Sequence, residues 1–520
     1  MVIDPSLEGV YGMWELIERR AALTPDTLMA VDEDGRSMTF AEFRDRSVRV
    51  AAALHAEFGI GTDDVVSWLL PTWLDAVVLV GALARLGAVQ NPLLPIYRER
   101  EVRFMVGQTR ARLLVTPSVW RGFDYAALAE AVAADLPTLR TLVCDKQLPE
   151  GDPESLPPPP AAITDPETAP VRWIFYTSGT TADPKGARHT DPGVRHSAIV
   201  MSDGLEITAA DRSAMVFPFT HVGGQVWMFT SLLTGARLVL VEAFSPPVTI
   251  PILQREGITL GNAGTPFHMA YLAAQRADPT VRLFPHVRIY PGGASPKPPQ
   301  LHYDVKAELG GAGIVSSWGL TEAPILTCAH PDDPDEELAH TEGRPGPGVQ
   351  LRVVTLDGRV AGPGEEGELR VKAPQVLKGY VDSSLDADAF DEDGWLRTGD
   401  LGKVNAHGNI VITGRLKDVI IRKGENISAK EVEDALFTHP KVADVAVVGL
   451  PDERSGERAC AVVVPTDHDA PPTLEEVFDY LTGRGLMVHK VPEQLEIVDE
   501  LPRNLSGKVL KHELRATFSA

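Results

Sequence analysis

Residues 177–186, Thr-Ser-Gly-Thr-Thr-Ala-Asp-Pro-Lys-Gly, set four hydroxyl side chains, two glycines and a lysine just after the apolar run Trp173-Ile174-Phe175. Such a loop has too little apolar surface to help a core. Thr177, Ser178, Thr180 and Thr181 offer hydroxyl donors. Gly179 and Gly186 let backbone N–H groups come close, and Lys185 supplies positive charge, so the loop suits a polyphosphate. The order G-x-x-x-x-G-K-[ST] is missing, so it is not a Walker loop. Taken alone, the same composition also describes a solvated turn.

The elements that must hold this loop are legible from periodicity. Up to residue 120, helical and strand patterns alternate. Residues 39–59 carry apolar residues at helical spacing behind a Thr39/Glu42 capping box. Residues 63–70 and 111–117 read as strands around a helix at 73–87. This alternation predicts mostly parallel sheets covered by helices, and it resumes over 211–320. Residues 146–169, with four consecutive prolines, read as an exposed loop between subdomains. After 345, short strands with Gly-rich turns predict a small β-rich subdomain. After about 417, a compact α+β unit follows, with capping boxes at Ser428/Glu431 and Thr473/Glu476.

The totals bound the function. With 520 residues, several subdomains are expected. A net charge of −23 disfavours a nucleic-acid partner, because phosphate backbones reward basic surfaces. Cys144, Cys328 and Cys460 lie too far apart for a metal-ligand spacing or a disulfide framework, which fits the reducing cytoplasm. The N-terminus shows no basic segment followed by an apolar one, so no signal peptide is expected. The most apolar segment carries Arg85 and prolines and reads as a buried helix plus strand, so no stable membrane insertion is expected.

YTSGTTADPKG resembles the phosphate loop of the adenylate-forming superfamily, which holds acyl-CoA synthetases, peptide-synthetase adenylation domains and luciferases. Six further signatures recur in the family's order: PFTHVGG at 218–224, YPGGAS at 290–295, SSWGLTEA at 316–323, GWLRTGDLG at 394–402, GRLKDVIIRKGENISAKEVE at 414–433 and LPRNLSGKVLKHELR at 501–515. The resemblance covers nearly the whole chain. It implies an α/β fold with a large N-terminal domain, residues 1–416, of two doubly wound subdomains and a β-rich one. A small mobile α+β domain, residues 417–520, completes it.

The resemblance also implies roles. Thr321 would contact the α-phosphate, and Glu322 would help hold Mg²⁺, a hard cation that suits a carboxylate. Gly293, Ala294 and Gly319 belong to the nucleotide-contacting motifs. Asp400 would accept from the ribose hydroxyls, with Arg415 adding a bond to ribose or phosphate. Trp318 stands where the family usually has a Tyr stacked on adenine, and an indole also offers a broad face. Ala182 replaces the usual Gly, which matters only if that backbone needs φ > 0. His221 would lie beside the acyl carboxylate. Lys508 would bind carboxylate and phosphate together in the first reaction, lowering the repulsion between two anions.

The implied reaction has two halves. A carboxylate attacks the α-phosphate of ATP, giving an acyl adenylate and pyrophosphate, and the thiol of coenzyme A then displaces AMP. No protein nucleophile is required, and no G-x-S-x-G elbow is present. Lys417 sits at the family's hinge. Rotation about it would withdraw Lys508 and bring Gly424 to line a pantetheine channel. Gly223, Gly224, Trp227, Gly264, Thr265 and Ala294 predict an apolar, roomy acyl pocket without an Asp or Lys to bind an α-amine. A fatty or cyclic apolar acid is expected. Chain length is not readable, since each buried methylene contributes only about 0.8 kcal/mol. A stand-alone enzyme loading a separate carrier protein is the nearest alternative. A luciferase-like oxidase and an inactive scaffold remain further ones, the scaffold disfavoured by intact Lys508, Glu322 and Asp400. The oligomeric state stays open, a homodimer included.

Overall fold

A computed structural model describes residues 3–519 apart from 178–182, 263, 294 and 505–506. Two sheets form the bulk of the large lobe. The first runs, in spatial order, Lys185–Thr190, Val171–Thr177, Val89–Pro92, Val65–Trp68, Leu113–Thr116 and Arg140–Val143. Its strands are parallel except for the pair at the Lys185–Thr190 edge, where Lys185 faces Thr177 across the ladder. The second runs Arg212–Met215, Arg237–Leu240, Leu28–Val31 and Ser37–Thr39, antiparallel only at its last pair.

Helix Phe40–Phe58 starts where its residues say it should. Thr39 Oγ1 accepts from Glu42 N, and Glu42 returns the bond to Thr39 N. It packs on helix Leu74–Leu86, which is buried on nearly every side, so the most apolar stretch of the chain lies in the core. Among the described residues no helix is long and apolar enough to cross a membrane.

The β-rich subdomain is a four-stranded antiparallel meander of Gln350–Val354, Gly367–Lys372, Leu396–Val404 and Ile410–Arg415. The small lobe that follows is built on the long pair Val442–Asp452 and Gly456–Pro465, and it shows the two-residue strand period directly. Val445, Val447, Ala461 and Val463 face helices Ala429–Leu436 and Leu474–Gly483. The alternate residues Ala446, Val448, Cys460 and Val462 face Leu514 on helix Lys511–Phe518.

One expected cap differs. Ser428 accepts from Glu431 N, but the Glu431 carboxylate binds Lys490 Nζ at 2.7 Å and leaves the box half-made. A lysine partner alone does not prevent the box, since Glu476 binds Lys441 Nζ and still accepts from Thr473 N; at Glu431 the carboxylate serves Lys490 without reaching the Ser428 backbone. Thr473/Glu476 forms both halves. All three cysteines are buried, and burial pushes each thiol up to about 12.

Candidate active site

One cavity of about 960 Å³ collects side chains from the large lobe, the β-rich meander and the small lobe. Thr177, Lys185, Gly293, Trp318, Gly319, Thr321, Glu322, Asp400 and Arg415 line it. So do His221, Gly223, Trp227, Gly264, Thr265, Lys417 and Lys508. Two expected residues lie elsewhere. Gly224 is turned to the Phe219 backbone, because the first turn of helix Val222–Thr234 packs there. Gly424 is exposed, with open space where a side chain would stand. Ser178, Gly179, Thr180, Thr181, Ala182 and Ala294 lie outside the described residues.

Thr321 and Glu322 are the two-residue loop of a hairpin between Ile314–Leu320 and Ala323–Cys328, with Leu320 facing Ala323. They do not start a helix. The hairpin depends on Gly319, where a Cβ would meet Ile325 N at 2.3 Å. The loop is fixed from outside. His189 donates its Nε2–H to the Thr321 carbonyl at 2.9 Å, and its burial holds the imidazole neutral, pushed down to about 4. Leu377 N donates to the Glu322 carbonyl at 2.8 Å. The Tyr380 hydroxyl donates to Glu322 Oε1 at 2.8 Å. Burial and the adjoining carboxylate raise that phenol, so it stays a donor.

Asp400 lies opposite. Its Oδ1 pairs with Arg415 Nε at 2.7 Å, and its Oδ2 accepts from the Trp318 indole N–H at 2.8 Å. Strand register brings Asp400 and Arg415 together, since they face each other across the meander.

Met201, Leu205, Phe217, Val222 and Trp227 add apolar lining, and His221 borders the same cavity. Its Nδ1 accepts from Gly223 N at 3.1 Å, capping helix Val222–Thr234, so the proton rests on Nε2. Desolvation pushes the imidazole down to about 4 and keeps it neutral at ordinary pH.

Lys508 enters from the small lobe on a turn closed by Asn504 N to the Lys508 carbonyl at 3.0 Å, with Lys508 N bound to Asn504 Oδ1 at 2.9 Å. The preceding Gly507, at φ +84°, rides against Pro266 of helix Thr265–Ala277. Burial first, then the nearby Arg415 guanidinium, push the Lys508 ammonium down to about 8, with Asp400 opposing. Three cations, Lys508, Arg415 and Lys417, thus share one region with the carboxylates of Asp400 and Asp418.

Sequence reasoning missed Tyr380, His189 and the Trp318–Asp400 bond. These partners stand 58, 132 and 82 positions apart, and no local pattern marks them.

The chain matches the AMP-binding enzyme family over residues 17–381 and the AMP-binding enzyme C-terminal domain over 431–508. It is 33% identical over 523 residues to the medium-chain fatty-acid–CoA ligase of Escherichia coli K12, covering 98% of this chain and 91% of that one. It is 34% identical over 516 residues to the salicyl-AMP ligase / salicyl-S-ArCP synthetase of Mycobacterium tuberculosis, covering 94% and 88%. Among solved structures, o-succinylbenzoate coenzyme A synthetase (MenE) from Bacillus subtilis, in complex with ATP and magnesium ion, superposes with a TM-score of 0.81 at 29% identity, over 96% of this chain and 98% of that one. The chain belongs to the AMP-binding enzyme family of the adenylate-forming superfamily and is an AMP-forming acid–thiol ligase.

Proposed function

We propose that this enzyme joins a fatty or cyclic apolar carboxylic acid to coenzyme A through an acyl adenylate, using ATP. The observation that carries this reading is the single cavity in which an apolar chamber, a hairpin carboxylate and a lysine from the other lobe converge. The chamber would hold the acid's hydrocarbon part. His221, neutral with its proton on Nε2, would donate to the acid's carboxylate without competing with Lys508 for charge. Lys508 would lie between that carboxylate and the α-phosphate and stabilise the charge that builds as the new P–O bond forms and pyrophosphate leaves. Thr177, Lys185 and the adjoining phosphate loop would hold the β- and γ-phosphates. Trp318, Asp400 and Arg415 would hold the nucleoside.

Glu322 fits a Mg²⁺ ion. Among the described residues no group of three or more His, Cys, Asp or Glu is placed to hold a metal. Mg²⁺ characteristically takes one or two carboxylates, with phosphate oxygens and water completing its shell. When bound, the ion supplies charge neutralisation between phosphates. Tyr380 fixes the carboxylate that would face it.

In the second half-reaction, residues 417–520 would turn about Lys417, in the 3₁₀ turn Leu416–Asp418. That turn would remove Lys508 and admit the Gly424 loop, on a scale of about microseconds to milliseconds. The thiolate sulfur would then attack the acyl carbonyl, and AMP would depart with the electron pair of the broken C–O bond.

A panel of acids incubated with ATP, Mg²⁺ and coenzyme A, read by mass spectrometry, tests the reading. Acyl-CoA from apolar acids is expected. Acyl adenylate without acyl-CoA from any acid would favour transfer to a carrier protein instead. The Mycobacterium tuberculosis relative, named as a salicyl-S-ArCP synthetase, supports keeping that second reading.

A further inference from the structure

Asp400 is 4% exposed, yet both of its oxygens already have a partner, an ion pair on one and a hydrogen bond on the other. Arg415 Nε is on Oδ1 at 2.7 Å, and the Trp318 N–H is on Oδ2 at 2.8 Å. The two partners differ in origin. Arg415 comes with the sheet, as the cross-strand partner of Asp400. Trp318 belongs to a different sheet, on strand Ile314–Leu320, so strand register does not impose its bond. That bond is a separate constraint on the carboxylate.

An ionised carboxylate offers about four lone-pair sites. The Trp318 N–H fills one of them, on Oδ2, while Arg415 stands beside Oδ1 as an ion pair, and Asp400 borders the cavity. Lone pairs on both oxygens then remain for a ligand, which matches a pair of adjacent hydroxyls. Charge-assisted bonds of this kind also fix the plane of the group.

We infer that Trp318 is a positioning residue for Asp400: its indole N–H, as distinct from its ring face, orients the carboxylate so that the enzyme selects a nucleotide carrying both ribose hydroxyls. The inference rests on the nucleotide site proposed above. Phe or Tyr at 318 would keep an aromatic face but lacks a donor at the place of the indole nitrogen. A purely packing role, beside Leu326, Leu369 and Tyr380 in the same core cluster, makes a different prediction. Loss of packing would weaken every nucleotide alike and leave their ratios unchanged.

The test compares affinities for ATP, 2′-deoxy-ATP and 3′-deoxy-ATP by titration calorimetry in wild type, in Trp318→Phe, and in protein carrying 3-benzothienylalanine at 318. The last keeps the size and face of the bicyclic ring but has sulfur where the N–H was, so it preserves packing if the Phe variant does not fold. Wild type is expected to prefer ATP over both analogues. In the variants the preference over at least one analogue should fall by about tenfold, the scale of one hydrogen bond to a charged group. Unchanged ratios in the benzothienyl protein would overturn the inference, whatever happens to the affinity for ATP itself. Failure of the underlying site reading looks different: wild type would then bind none of the three, or all three equally.

Discussion

In the proposed mechanism Lys508 is the residue on which the first half-reaction turns. Replacing it with alanine should slow pyrophosphate release by about 10²–10³-fold, as loss of a preorganised charge does elsewhere. Equal rates would remove the lysine from the mechanism. Its titration gives a second check. The ammonium is the useful form, and in the nucleotide-free enzyme it is pushed down to about 8 from an ordinary 10.5. So kcat/KM for ATP should fall as pH rises through about 8, and Lys508→Arg should abolish that limb even if its overall rate is lower. ATP binding near pH 8 should take up protons, because the polyphosphate restores the charged form. His221, at about 4, should contribute no limb between pH 5 and 8. At the hairpin, Tyr380→Phe removes the side-chain hydroxyl that donates to Glu322 Oε1. The Mg²⁺ concentration for half-maximal rate should rise by about tenfold, the usual cost of losing a ligand's outer partner. An unchanged Mg²⁺ titration would make the Tyr380 bond incidental.

At the scale of elements, the turn that delivers Lys508 is tightly specified. A Cβ on Gly507 would meet Pro266 Cγ at 2.7 Å, and its φ of +84° already suits only glycine. Gly507→Ala should therefore slow adenylation by at least tenfold while sparing thiol transfer from presynthesised acyl adenylate, for which the proposed rotation would withdraw the turn. Equal loss in both halves would contradict a role confined to the first. Much of this scaffold could be read from the chain alone. Period-2 and period-3.6 patterns located most of the strands and helices, and Thr39 and Thr473 announced their caps. What local pattern cannot carry is the meeting of distant segments. Thr321-Glu322 could pass for a helix start until Leu320 is seen to face Ala323, and Ser428 could pass for a full box until Glu431 is seen to bind Lys490. The candidate site residues were named by the family's motifs, and most of the described ones line one cavity. The groups that hold those residues still were not so named.

Across the whole molecule, the two lobes meet through charge as well as shape. Lys297, buried in the large lobe and pushed down to about 8, feels Glu342 beside it and Lys430 and Asp434 from helix Ala429–Leu436 of the small lobe. Burial raises the Glu342 carboxyl, and Lys297 and Lys430 act to lower it. Glu342→Gln would leave Lys297 and Lys430 without that countercharge. Pyrophosphate release should then slow roughly fivefold, and added salt should narrow the difference. A rate that ignores both the substitution and the salt would show that the seam contributes no orientation. The cysteines carry a last consequence. If the acceptor is coenzyme A, as proposed, the enzyme also meets the oxidised dimer of that thiol. Its own three sulfurs are buried and held protonated, so none offers a nucleophile for exchange. Incubated with coenzyme A disulfide, the native protein should gain no mass and keep its full turnover when every reductant is left out of the buffer.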